Sequence, residues 1–157
     1  MQHKTKVFAV MIALTAAISL IAGGFALQLG KPSANPEAQA KNAVLVVRGY
    51  ACAAPEKTTI SARAEGVING KRESVPLKLI PLSGESTYAV TRQWPRDGKW
   101  VISVVQANPR FNSRPSAIVK VAGDSVDWAG ITRFTAPPSA QQLEAALRSQ
   151  GLNLQFA

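Results

Sequence analysis

Asn69-Gly70 constrains the fold of this chain more than any other pair of its residues. A two-residue Asn-Gly loop favours the type I′ turn, because both central positions need positive φ and the resulting twist matches an antiparallel hairpin. With that loop in place, the pairing outward is determined. Ala64 faces Val75, Ala62 faces Leu77 and Ile60 faces Leu79, all apolar and all on one face. The other face sets Val67 against Arg72, Glu65 against Ser74, Arg63 against Pro76 and Ser61 against Lys78, a mainly polar set. A slip of one residue reverses this sorting, so turn chemistry and pattern select the same register. Pro76 has no N–H to donate and predicts an edge strand or a bulge.

Similar patterns recur on both sides of this hairpin. Ala43 to Tyr50 is a Val-rich strand, followed by turn residues around Ala51 to Lys57. Tyr88 and Val90 alternate with polar neighbours, Pro95-Arg96-Asp97-Gly98 supplies a turn, and Trp100, Ile102 and Val104 repeat with period 2. This reads as a second hairpin. Ser116 to Ala122 is a further strand and Val126 to Phe134 another, separated by Gly123-Asp124. After Pro137-Pro138 the period changes. Ser139 with Gln142 three residues on is a capping-box pattern, and Leu143, Ala146 and Leu147 share one helical face, predicting a helix from Ala140 to Gln150 that stops at Gly151. Six or seven short strands and one late helix predict an all-β fold: an immunoglobulin-like antiparallel β-sandwich with a short C-terminal helix.

The N-terminus adds a compartment. Lys4 and Lys6 precede an apolar run from Val7 to Ala22, and Ala22 to Ala26 offers small residues for cleavage. Two readings stand: a signal peptide removed near Ala26, or a single-pass anchor. Both place the rest of the chain outside the cytoplasm, periplasmic or extracellular. The expected division is 1–26 signal or anchor, 27–42 flexible tether, 43–136 β-sandwich and 137–157 C-terminal helix and tail. Removing 26 of the 157 residues leaves 131, enough for one domain. It also removes the only histidine and both methionines. What remains has one thiol, Cys52, no imidazole and no thioether, so no metal and no cofactor is expected. With two of 18 basic residues and none of the nine acids removed, the charge is +7, which suits acidic surroundings.

The stretch Gly84-Glu-Ser-Thr-Tyr88 through Pro95-Arg-Asp-Gly98-Lys-Trp100-Val-Ile-Ser-Val104 resembles the closing hairpin of small exported immunoglobulin-like domains, the bacterial YtkA-like and CopC-like β-sandwiches. The resemblance implies a fold. It does not carry copper binding with it, because the copper-holding members use histidines and methionines that no residue after position 26 here matches.

Chemistry-bearing residues are few. Cys52, within Tyr50-Ala-Cys-Ala-Ala-Pro55, reads either as a reactive thiol or, more in keeping with a lone cysteine, as a small buried hydrophobe. Asp124 and Asp127 read as turn residues, with no acidic cluster to make a calcium loop. No Gly-rich phosphate loop and no Gly-x-Ser-x-Gly elbow occurs, and enzymatic activity is not expected. The remaining signal is a basic stretch: Arg92, Arg96, Lys99, Arg110 and Arg114 against Asp97, interleaved with Trp94, Trp100 and Phe111. Gathered on one surface, these would bind anions; solvated strand positions are the alternative. The functional expectation is a non-enzymatic exported binding or envelope-accessory module acting through protein contacts. The alternatives are a basic domain binding an anionic envelope polymer or membrane surface, and, disfavoured by its ligands, CopC-like metal handling. The protein partner is unknown, and no specific nucleic acid is expected.

Overall fold

The computed structural model describes residues 24–150. Two antiparallel sheets pack face to face as a β-sandwich. One sheet has the order β1-β2-β6-β5, from Phe25–Gly30 (β1), Ala43–Ala51 (β2), Thr87–Thr91 (β6) and Leu79–Pro81 (β5). The other has the order β10-β8-β7-β3-β4, from Thr132–Phe134 (β10), Ser116–Ala122 (β8), Lys99–Ala107 (β7), Thr59–Ile68 (β3) and Lys71–Leu77 (β4). Ser125–Val126 (β9) also pairs with β8.

The Asn-Gly hairpin forms in the expected register. Ala64 opposes Val75, Ala62 opposes Leu77 and Glu65 opposes Ser74, and the turn has φ of 50° at Asn69 and 74° at Gly70. β4 is the edge strand, where the missing N–H of Pro76 costs no ladder bond. Beyond Leu77 the register ends. Leu79 and Lys78 do not face Ile60 and Ser61, because the chain crosses to the other sheet and pairs there as β5 with β6. Gln93 makes this crossing possible: its Oε1 accepts from Lys78 N at 2.9 Å and its Nε2 donates to Lys78 O at 2.9 Å. The side-chain amide thus replaces the lost ladder bonds.

Three other expectations are corrected. The second hairpin is not one: β6 and β7 lie in different sheets, and Trp94 between them is buried in the core they share. The strand expected over Val126 to Phe134 is broken into β9 and β10 by a turn in which Asp127 Oδ1 accepts from Gly130 N at 3.0 Å. The stretch 27–42, expected as a tether, is built into the domain. β1 pairs along β2 from Phe25↔Ala51 to Gly30↔Val46, and Pro36–Ala40 (α1) follows, capped by Asn35 Oδ1 on Ala38 N at 3.0 Å. Periodicity missed it because only Leu27 of β1 is buried. Residues 1–23 of the signal or anchor segment and the expected helix stop at Gly151 lie outside the described residues.

The inner faces of both sheets make one core around Trp100, Leu45, Ile102, Val47, Val104 and Val119. Each outer face is partly covered as well. Ala38 of α1 packs on Val46, Ala89 and Leu82, while Leu147 of Ala140–Ser149 (α2) packs on Val101 and Ile118. Strands buried on both faces read as unbroken apolar runs, which is why Val44 to Val47 and Trp100 to Val104 do not alternate cleanly. α2 starts at the expected capping box: Gln142 N donates to Ser139 Oγ at 3.2 Å and Ser139 N to Gln142 Oε1 at 2.8 Å.

Two outcomes are expected. A Cβ at Gly66 would stand 2.5 Å from ring atoms of the fully buried Trp100, whereas one at Gly30 meets only Val46 at 3.8 Å. Gly66→Ala should therefore lose about 1–3 kcal/mol by overpacking while Gly30→Ala is close to neutral, as read from denaturant midpoints. Glu37 in α1 accepts from Ser83 N at 2.7 Å, and this backbone hydrogen bond holds its carboxyl below the usual glutamate range. A depressed pKa adds stability that is present above the unfolded-state value and lost as pH falls through the folded one. Melting curves from neutral pH to about pH 3 should accordingly show an acid loss in the wild type that is smaller in Glu37→Gln.

Candidate functional site

The five basic residues of the Arg92 to Arg114 stretch are divided between the two ends of the sandwich. Arg92 and Arg96 lie in the connection from β6 to β7, and Lys99 opens β7. Arg110 and Arg114 follow the other end of the same strand. A nine-residue strand stands between the groups, ~26 Å at the usual strand rise. The loop carrying Arg110 and Arg114 is held at its own end of the molecule. Asn108 Nδ2 donates to Ala54 O at 2.8 Å and to Thr58 Oγ1 at 3.0 Å, Phe111 stacks on Phe25 with centroids 4.5 Å apart, and Arg114 N donates to Thr135 O at 3.0 Å. The single surface that joint anion binding by all five residues would require does not form.

A smaller cationic site does form where β1 ends. Because Ala43 pairs with Thr91, the turn before β2 lies beside the residues after β6. Lys41, Asn42, Ala43 and Val44 from one side, with Thr91, Arg92, Arg96 and Asp124 from the other, line a cleft of about 550 Å³. Arg92 Nε lies 3.1 Å from Asp124 Oδ1 and Arg96 Nη2 lies 3.9 Å from Asp124 Oδ2. Three cations thus meet one carboxylate. Arg92 is the inner member, its side chain 24% exposed against 74% for Arg96, and its Nη1 is buried with no hydrogen-bond partner among the described residues. A buried guanidinium N–H without an acceptor is costly, and an anion would reach this one only if the side chain turned toward the cleft. Lys41 was not legible in the sequence as part of any site, since it comes to Arg92 only through strand pairing across some fifty residues. Lys99 is turned elsewhere: its Nζ donates to the Gln150 carbonyl at the end of α2, a position that favours a cation.

Cys52 is exposed, contrary to its expected burial. Ala51 closes β2 pointing inward, so the next side chain points out. The thiol lies against Gly24, whose carbonyl accepts from Cys52 N at 2.6 Å and where any Cβ would collide with the cysteine side chain. Asp124 and Asp127 are both exposed turn residues, as expected. Among the described residues no three His, Cys, Asp or Glu side chains converge. No family model, curated protein or solved structure matches the chain.

The exposure of Cys52 has a direct check. The folded protein should react with an aromatic disulfide reagent at one thiol per chain without denaturant, at a rate unaffected by stabilising conditions. A thiol that reacts only on unfolding would contradict its placement.

Proposed function

We propose that the chain is a non-enzymatic binding module of the cell envelope, and that the Lys41, Arg92 and Arg96 cleft receives an acidic side chain of a protein partner. The observation that carries this reading is the charge of the cleft, where Lys41, Arg92 and Arg96 outnumber the single carboxylate of Asp124 three to one. A single carboxylate fits such a place. It would accept from Arg92 and Arg96 in the manner of Asp124, and Lys41 would add charge from the opposite wall.

Binding of a long anionic polymer is the weaker reading. A polymer track needs cations in line at close intervals, whereas Arg110 and Arg114 lie at the far end of β7 and Lys99 is engaged by α2.

The test uses a glutamate-rich peptide and a polyphosphate of similar charge, titrated at low and at moderate salt. Weak binding of the peptide should appear at low salt and fall steeply as salt rises. Lys41→Glu with Arg96→Glu should abolish it while leaving the melting temperature nearly unchanged, since Arg96 is exposed and Lys41 half-buried at the surface, where single charges add little stability. Binding indifferent to both reversals would overturn the cleft as the site. Tighter binding of polyphosphate than of the peptide would favour the polymer reading.

A further inference from the structure

The end of the sandwich opposite the cleft carries its own group of features, and the chain enters the domain there. Phe25 opens β1 at that end, immediately after Gly23-Gly24 and the apolar run Val7 to Ala22. Because Phe25 to Gly30 is paired strand, the apolar stretch available to cross a bilayer ends at Gly24 and cannot extend to Leu29. Val7 to Gly24 is 18 residues, which as helix reach ~27 Å, about the thickness of the hydrocarbon core and no more. Were Val7 to Gly24 to cross a bilayer as helix, no spacer would be left between it and the domain.

What surrounds Phe25 matches a lipid interface. Tyr50, opposite Ala26, is 42% exposed and is the one exposed large hydrophobic side chain among the described residues. Phe25 and Phe111 stack at the same end of the sandwich, half-buried, with Phe25 on the inner face of the sheet and Tyr50 on the outer. Lys57, Arg110 and Arg114 are exposed at the same end, against the exposed acids Glu56 and, in the turn bonded to Gly49, Glu85. Aromatic residues at headgroup level and cations over anionic lipid are the usual partners of a membrane surface. Cleavage after Ala26 would remove the first two residues of β1 and the Phe25 ring from its stack on Phe111.

We infer that the N-terminal segment is retained as an anchor and that the Phe25 end, through Tyr50, Phe111, Arg110 and Arg114, rests on the anionic lipid surface of the bilayer holding that anchor. The cleft then faces away from the membrane, on the side open to a partner. This inference does not depend on what the cleft binds.

Cys52 supplies the probe, since it is the sole cysteine of the chain, is exposed and lies at the Phe25 end. The full-length protein, labelled at Cys52 with an environment-sensitive fluorophore, is reconstituted in phosphatidylcholine vesicles with and without phosphatidylglycerol, each carrying a lipid with a headgroup-level quencher. A second sample carries the fluorophore at position 71, by Lys71→Cys in a Cys52→Ser background. That position is at the hairpin tip, ~30 Å away along β3. Loss of emission at Cys52 and none at position 71 is expected, with a larger loss when phosphatidylglycerol is present. Arg110→Glu with Arg114→Glu should remove the phosphatidylglycerol-dependent part. Equal quenching at both positions, or none at Cys52, would overturn the apposition. Quenching unchanged by lipid charge and by both reversals would overturn the electrostatic contact. The intact mass of protein extracted from its native envelope should include the residues before Phe25, and a mature chain starting at or after Gly23 would overturn retention.

Discussion

The structure depends on how closely Trp100 lies on the backbone of β3. Gly66 pairs with Trp100 across the ladder and has no side chain, so the indole ring lies over its Cα. The ring is fully buried, and its Nε1 donates to Asp97 O at 3.1 Å. This one residue therefore ties the Pro95 to Gly98 turn to the middle of the core. Gly66 also pairs with Glu73 of β4 on its other side, so the Asn-Gly hairpin and the Trp100 contact share the same strand. A one-residue slip of β7 against β3 would place a side chain under the ring instead.

Coverage of both faces of the central strands follows from this packing. With inner faces filled around Trp100 and Leu45, the outward Val101, Ile118, Val46 and Ala89 still need to leave water, and the two helices cover them. α2 runs back along β7 and β8, so the residue that follows it reaches Trp100: Gln150 Nε2 donates to Trp100 O at 2.8 Å. α1 does the same for the other sheet and fixes Lys41 beside Arg92. The cationic cleft is thus a product of the packing that completes the core, and its residues come from segments distant in sequence.

The sandwich is polar along its strands. One end has the cleft and its excess of cations; the other has the chain entry, an exposed tyrosine, a stacked phenylalanine pair and a second group of basic residues. Basic residues adjacent in the sequence were sorted to opposite ends by a single strand. Arg96 and Arg110 flank β7, and a strand separates what it connects by its full length.

What the sequence determined by itself was local. Asn69-Gly70 set a register that holds from Ile68↔Lys71 to Ala62↔Leu77, because turn geometry and alternation act between near neighbours. The capping box set the start of α2 for the same reason, and the apolar repeat of β7 placed Trp100 inside. The tertiary structure decided what depended on contacts across the chain. Gln93 diverted β5 into the other sheet, Trp94 parted an expected hairpin between two sheets, and pairing with β2 turned the expected tether into strand. Pairing of β2 with β6 brought Lys41 to Arg92, while the ties of Asn108 and Phe111 kept Arg110 and Arg114 apart from them. Periodicity reports which face of a segment avoids water, and it contains no record of which distant segment will cover that face.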